Sequence, residues 1–165
     1  MASVTEPFTV AAVEFNARAD GLNANIERVC DLIREAAENG ARLIVLPETC
    51  LSAFHPTPES YGSDADTLPG KATDAFAEIT GEHNCWVAFG VAEFAPATGL
   101  LFNAAGLVGA DGYIGKCRNG GHNAVDVMVY APGNAGHPVF ETDLGTIGIV
   151  ICYDDTWWEP GRLVA

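Results

Sequence analysis

Cys152 and Glu48 stand in matching local settings that suit covalent chemistry. Cys152 closes the apolar run Gly-Thr-Ile-Gly-Ile-Val-Ile-Cys and is followed by Tyr-Asp-Asp-Thr, a polar turn ahead of a helix-forming stretch. A strand-turn-helix of this kind holds a side chain out at the edge of a sheet. Helix N-terminal N–H groups nearby draw such a thiol toward thiolate, the form that attacks carbon. The competing reading is inert packing, because free cysteine is among the most buried residue types. Glu48 follows Pro47 at the C-terminal end of Arg-Leu-Ile-Val-Leu, the end at which open α/β sheets gather functional groups. Half-buried there between apolar walls, a carboxylate suits a general base that takes the thiol proton and later activates water. Its competing reading is a solvated loop glutamate.

Other chemistry is less well provided for. The five cysteines, at positions 30, 50, 85, 117 and 152, are odd in number, widely spaced and without a C-x-x-C pair, which points to reduced thiols rather than a disulfide framework or zinc site. The histidines at 55, 83, 122 and 137 lack the i, i+4 pairing of metalloproteases, so no metal and no cofactor is expected. Trp157 and Trp158 follow the Cys152 turn, where aromatics line an acyl pocket or serve packing and subunit contact. His122 and Asn123 read as solvated loop side chains, and Gly90 and Gly99 as strand and turn glycines.

These residues need elements to hold them. Phe8–Phe15 is a β-prone run, and Ile26, Val29, Cys30, Ile33, Ala36 and Ala37 then fall on one helical stripe that Gly40 stops. Arg42–Leu46 is an almost wholly apolar strand of the kind buried on both faces. Pro47–Pro69 is irregular and is expected to run over the surface near a site. A helix over Lys71–His83 follows, then strands Trp86–Phe94 and Leu100–Val108 joined by Pro-Ala-Thr-Gly, a hairpin signal at Asp111-Gly112, and a strand Tyr113–Cys117. After an irregular stretch, Arg118–Pro138, come strands Val139–Thr142 and Thr146–Ile151 and a helix beginning near Glu159. The pattern is α/β and reads as a single domain over residues 1–165.

Composition bounds the partners. With 48% apolar residues the chain has the means for a sizeable core. A formal charge of -14 repels phosphate backbones and anionic lipid surfaces, so neither nucleic acid nor membrane is an expected partner. Met1–Pro7 has no basic stretch ahead of an apolar run, and no segment reaches the roughly 20 apolar residues of a membrane span. A cytoplasmic location is the expectation.

Three segments in this order resemble the nitrilase superfamily of carbon-nitrogen hydrolases: Ala-Arg-Leu-Ile-Val-Leu-Pro-Glu around Glu48, G-x-I-G-K-x-R over Gly112–Arg118, and Gly-Ile-Val-Ile-Cys-Tyr-Asp around Cys152. Asn103, the Pro132-Gly133 turn, Glu159 and Arg162 support the match. The resemblance implies an αββα sandwich that hydrolyses a non-peptide carbon-nitrogen bond of a small amide through an acylated cysteine, releasing ammonia without a cofactor. Carried over, Glu48 is the base, Cys152 the nucleophile, and the backbone N–H of Tyr153 the first oxyanion donor. Tyr-Asp after the cysteine, where nitrilases have Trp-Glu, is more like the amidase and carbamoylase branches. In its full-length form such a protein is expected to be a homo-oligomer.

Two departures qualify this. The family's catalytic lysine directly follows the arginine, but here the order is Cys117-Arg118-Asn119, so Asn119 takes the lysine position. The chain has two lysines, and period-2 alternation turns Lys116 to the opposite face from that position. Asp126 is the nearest acid to the place of the family's second glutamate. Superfamily members also continue for roughly another hundred residues, so the chain reads as about the N-terminal 60% of the sandwich. The alternative to an enzyme is therefore a catalytically inactive binding or assembly subunit, or a fragment without function.

Overall fold

A computed structural model describes residues 6–52 and 62–165. The first strand, β1 (Thr9–Ala12), pairs in parallel with β2 (Ala41–Val45) across helix α1 (Leu22–Glu38), and β2 pairs in parallel with β3 (Trp86–Ala95) across helix α2 (Lys71–His83). Two antiparallel strands, β4 (Leu100–Gly109) and β5 (Gly112–Arg118), complete a sheet of order β1-β2-β3-β4-β5. A separate hairpin of β6 (Val139–Thr142) and β7 (Gly145–Gly148) is followed by a 3-10 turn at Cys152–Thr156 and helix α3 (Trp158–Val164).

Both helices cover one face of the sheet. The α1 stripe Ile26, Val29, Cys30 and Ile33 is buried as its periodicity predicts, and it packs with Phe76 and Ile79 of α2 against Ile44, Val87, Phe89 and Val91. Phe76 meets Phe89 edge to face at 5.0 Å. Gly40, at φ 87°, ends the first helical connection in a conformation that favours glycine. The other face receives the β6–β7 hairpin, whose Phe140 lies among Ala88 and Leu107. Gly115 leaves room for that ring, since a Cβ there would lie 2.6 Å from it. On the outer side of the hairpin Val164 of α3 rests on Gly148. The layers therefore run helix, sheet, hairpin, helix, in keeping with the expected αββα order.

Three expectations need correction. β2 is not buried on both faces: Ile44 is sealed under the helices, whereas Val45, on the hairpin side, is 40% exposed, as is Val10 of β1 at 51%. The hairpin is only two strands wide and does not extend over β1 and β2. The Pro47–Pro69 segment is also not simply a surface loop. Its centre, residues 53–61, lies outside the described residues, but Cys50, Leu51, Ser52, Asp64, Asp66 and Leu68 at its two ends are buried. Asp66 accepts the N–H groups of Thr67 (2.9 Å) and Ala72 (2.8 Å), capping the start of α2. The last strand is shorter than expected: Ile149–Ile151 continue from β7 without a strand partner among the described residues.

Candidate functional site

The Glu48 loop is strapped to β3 at one residue. Gly90 donates its N–H to the Pro47 carbonyl (3.1 Å) and accepts that of Cys50 (3.1 Å). A Cβ on Gly90 would lie 2.4 Å from the Thr49 nitrogen and 2.6 Å from the Glu48 Cα, so only glycine admits the loop this close. Gly90 is thus more than a strand glycine; an isolated glycine inside an apolar strand is the signal that marks such an approach. Glu48 emerges exposed at the pocket instead of half-buried between apolar walls. Its Oε1 accepts a hydrogen bond from Nδ2 of Asn103 at 2.6 Å. Asn103 sits opposite Ala92 on β4 and is 1% exposed, and its Oδ1 is buried without a partner.

Cys152 arrives from the other side. It has φ 43°, in the left-handed region that non-glycine residues seldom occupy, and it opens the 3-10 turn. The turn is fixed by Asp154, which is buried: its Oδ1 accepts N–H groups from Gly120 (3.0 Å) and Gly121 (2.8 Å), and its own N–H donates to the Ile151 carbonyl (2.9 Å). Neither Asn103, beyond its place in the motif, nor Asp154 was expected to have this part. Both are polar residues in apolar or turn contexts, and the sequence carries no sign of the partners they find.

Cys152 and Glu48 meet at one pocket, where the Glu48 carboxylate acts on the thiol and the Tyr153 backbone opposes it. Burial, then the bond to Glu48 and its charge, then the charge of Asp126, push the Cys152 thiol up to about 11, against the smaller lowering effect of Tyr153. Cys152 is nonetheless an exposed residue, so Glu48 is the more specific cause. This corrects the expectation of thiolate character from nearby N–H groups. Next to a carboxylate the sulfur stays protonated, and the pair is a thiol beside a carboxylate. The other four cysteines are buried; burial pushes Cys50 up to about 12 and Cys117 up to about 11.

A pocket of about 450 Å³ opens on this pair, with Glu48, Asn103, Asn123, Asp126, Tyr130 and Cys152 in its walls. Asp126 begins a 3-10 turn over Asp126–Met128 that Asn123 fixes, accepting the N–H groups of Val125 (2.8 Å) and Asp126 (3.0 Å) at its Oδ1. Asn123 is therefore a wall residue and not a solvated one. His122 likewise has its Nε2 shielded from water and without a partner.

Three expected site residues stand elsewhere. Asn119 is fully buried and outside the pocket wall; its Nδ2 donates to the Ile151 carbonyl at 3.3 Å, and its Oδ1 is buried without a partner. Trp157 and Trp158 are 56% and 65% exposed and do not line the pocket. Trp158 instead stacks with Arg162 at 4.8 Å, and Trp157 borders a separate hollow beside His137. Lys116 lies on the opposite face, as alternation requires, bonded to Glu93 and to the Leu68 carbonyl (3.0 Å). Among the described residues no group of three His, Cys, Asp or Glu side chains is placed to hold a metal ion, and no helix is long and apolar enough to cross a membrane.

Comparison with known proteins agrees with the motif order. The carbon-nitrogen hydrolase family model matches residues 9–164. A nitrilase of Pyrococcus abyssi is 30% identical over 94% of this chain and 60% of its own length. An omega-amidase of Homo sapiens is 30% identical over 86% of this chain and 53% of its own length. Among solved structures, a nitrilase-superfamily protein of Saccharomyces cerevisiae superposes with a TM-score of 0.82 at 22% identity, over 98% of this chain and 63% of that one. A carbon-nitrogen hydrolase of Helicobacter pylori gives 0.80 at 19% identity, over 93% and 55%. The chain spans 60% or less of the length of these two curated relatives.

Proposed function

The chain belongs to the carbon-nitrogen hydrolase family, and from that premise we propose that it is built to hydrolyse a small non-peptide amide through a Cys152 acyl-enzyme. The observation that carries the reading is the thiol of Cys152 and the carboxylate of Glu48 brought together in the wall of one open pocket. Glu48 takes the thiol proton as the sulfur bonds to the amide carbon, and the carbonyl π electrons move to oxygen. The Tyr153 N–H, next in the chain to the nucleophile, serves as a donor to the developing oxyanion. Collapse of the adduct breaks the carbon-nitrogen bond, and Glu48 returns its proton to the departing nitrogen, releasing ammonia. Water then adds to the thioester with Glu48 as base, giving the acid and the free thiol.

The purified chain should release ammonia from simple aliphatic amides, and Cys152→Ala should abolish that release. A folded chain whose ammonia output equals that of Cys152→Ala would refute the reading.

A second reading, a catalytically inactive binding or assembly subunit, is favoured by Asn119. Its amide is spent on the Ile151 carbonyl, so the family's cation has no counterpart at the pocket wall. Loss of one oxyanion donor costs about 10²- to 10³-fold in turnover, which makes a slow enzyme the expected form of the first reading. Asn119→Lys therefore separates the two. It returns a cation to the position where the family carries one, and it should raise turnover about 10²-fold in an impaired enzyme and leave a silent subunit silent.

A further inference from the structure

The described part of the pocket wall is rich in acceptors. Glu48 and Asp126 both face it, and among the described residues that line it there is no Lys or Arg. All eight Lys and Arg residues fall within the described residues. Arg28 pairs with Asp20, Arg34 with Asp31, Arg42 with Asp143, and Lys116 and Arg118 with Glu93. Lys71 bonds Asn23, Arg162 stacks on Trp158, and Arg18 lies close to Asp20. Two acceptor atoms on the wall have no donor: Oδ2 of Asp126, and Oδ1 of Asn103, which is 1% exposed. A buried acceptor left unpaired costs free energy that a ligand donor would recover.

We propose that this site takes amides whose acyl chain carries a protonated amine, with Asp126 binding the ammonium and Asn103 Oδ1 accepting from the amide nitrogen. The proposal rests on the amide-hydrolase reading above and adds the substrate's charge. An amide NH₂ and an ammonium supply the donors that the two orphaned oxygens lack. An acyl chain ending in a carboxylate would instead meet Glu48 and Asp126 with no cation to offset it. The 3-10 turn pinned by Asn123 holds the Asp126 backbone in place before any ligand arrives, which reduces the ordering cost of binding.

The test uses three amides with the same four-methylene chain: delta-aminovaleramide, hexanamide and the monoamide of adipic acid, ending in ammonium, methyl and carboxylate. Their kcat/KM is measured on the whole chain, and their affinity on Cys152→Ala by calorimetry. The expected order in both is ammonium, methyl, carboxylate, with about 10- to 100-fold between the first and the last, the range of a hydrogen bond to a charged group. Asp126→Asn should shrink that ratio at least about tenfold, a readout that cancels any effect on the thiol common to all three. No binding, equal affinities, tightest binding of the carboxylate, or an order unmoved by Asp126→Asn would each overturn the proposal. Ordered binding without ammonia release would leave it standing and refute the hydrolase reading.

Discussion

Two glutamates on opposite faces of one sheet meet very different surroundings. Glu93 of β3, on the helix-covered face, is 1% exposed and is held by Lys116 and by both Nε (2.8 Å) and Nη2 (2.7 Å) of Arg118. Arg118 is itself stacked on Phe102 at 3.7 Å. Glu48, on the hairpin side, is exposed and has a neutral amide and a thiol for partners. A carboxylate matched by two cations and sealed from water serves the fold. A carboxylate given only neutral neighbours beside an open pocket is placed to meet a ligand. The face that lacks charge compensation and full cover is the one that holds the proposed site.

The same isosteric change on each face puts this contrast to the test. Glu48→Gln should lower ammonia release by about 10²- to 10⁴-fold, the contribution of a positioned base, and move the urea midpoint little because the residue is exposed. Glu93→Gln should do the reverse. It leaves two cations facing a neutral amide in a buried site, which costs about 3–5 kcal/mol of stability, while turnover per folded molecule is kept. Urea titration and an ammonia assay on the two variants read both quantities. If Glu93→Gln removes activity at full stability, or Glu48→Gln unfolds the chain without loss of specific activity, the division of labour between faces is wrong.

A smaller effect is expected from a residue that touches neither reacting group. Gly90→Ala places a methyl against the backbone of Pro47, Glu48 and Thr49, forcing the loop away from β3. Displacement of a catalytic group by about 1 Å costs on the order of 10²-fold in kcat. The matching change at Gly161 on the surface, where a Cβ meets nothing within 4 Å, should leave kcat as it is. Equal rates in wild type and Gly90→Ala would show that Glu48 is positioned by something other than this contact.

The two faces were not equally legible in the sequence. The helix side was, because burial is a matter of period: the Ile26, Val29, Cys30, Ile33 stripe and the bounds Lys71–His83 follow from spacing alone. The strand ends carrying Glu48 and Cys152 were legible as places where a side chain is presented. What spacing does not encode is which polar group meets which across the sheet. Asn103 bonding Glu48 and Asp154 bonding Gly120 and Gly121 are contacts between segments distant in the chain. The Glu93 cluster had a partial signal, since Lys116 and Arg118 are two apart on β5 and must share a face, but their partner is on β3. Trp157 and Trp158 misled because nearness to Cys152 in the chain is not nearness to the pocket: the 3-10 turn redirects them outward.

The finest distinction between the faces lies in the thiol itself. Burial raises the Cys152 pKa most, and the hydrogen bond and charge of Glu48 raise it further toward about 11. Glu48→Gln removes the charge and the strong acceptor but leaves the burial, so the folded-state pKa must fall. At a fixed pH below that value the thiolate fraction rises, and iodoacetamide should alkylate Cys152 faster, by about tenfold for every pH unit that its titration midpoint drops. The buried Cys50 and Cys117 provide an internal control, since their thiols are raised chiefly by burial and not by Glu48, and should not respond. Alkylation and hydrolysis are then driven in opposite directions by one substitution: the sulfur becomes easier to ionise while the amide loses the group that protonates its leaving nitrogen. A structural defect would open the buried Cys50 and Cys117 to the reagent as well, and a Glu48 remote from Cys152 would change neither reaction.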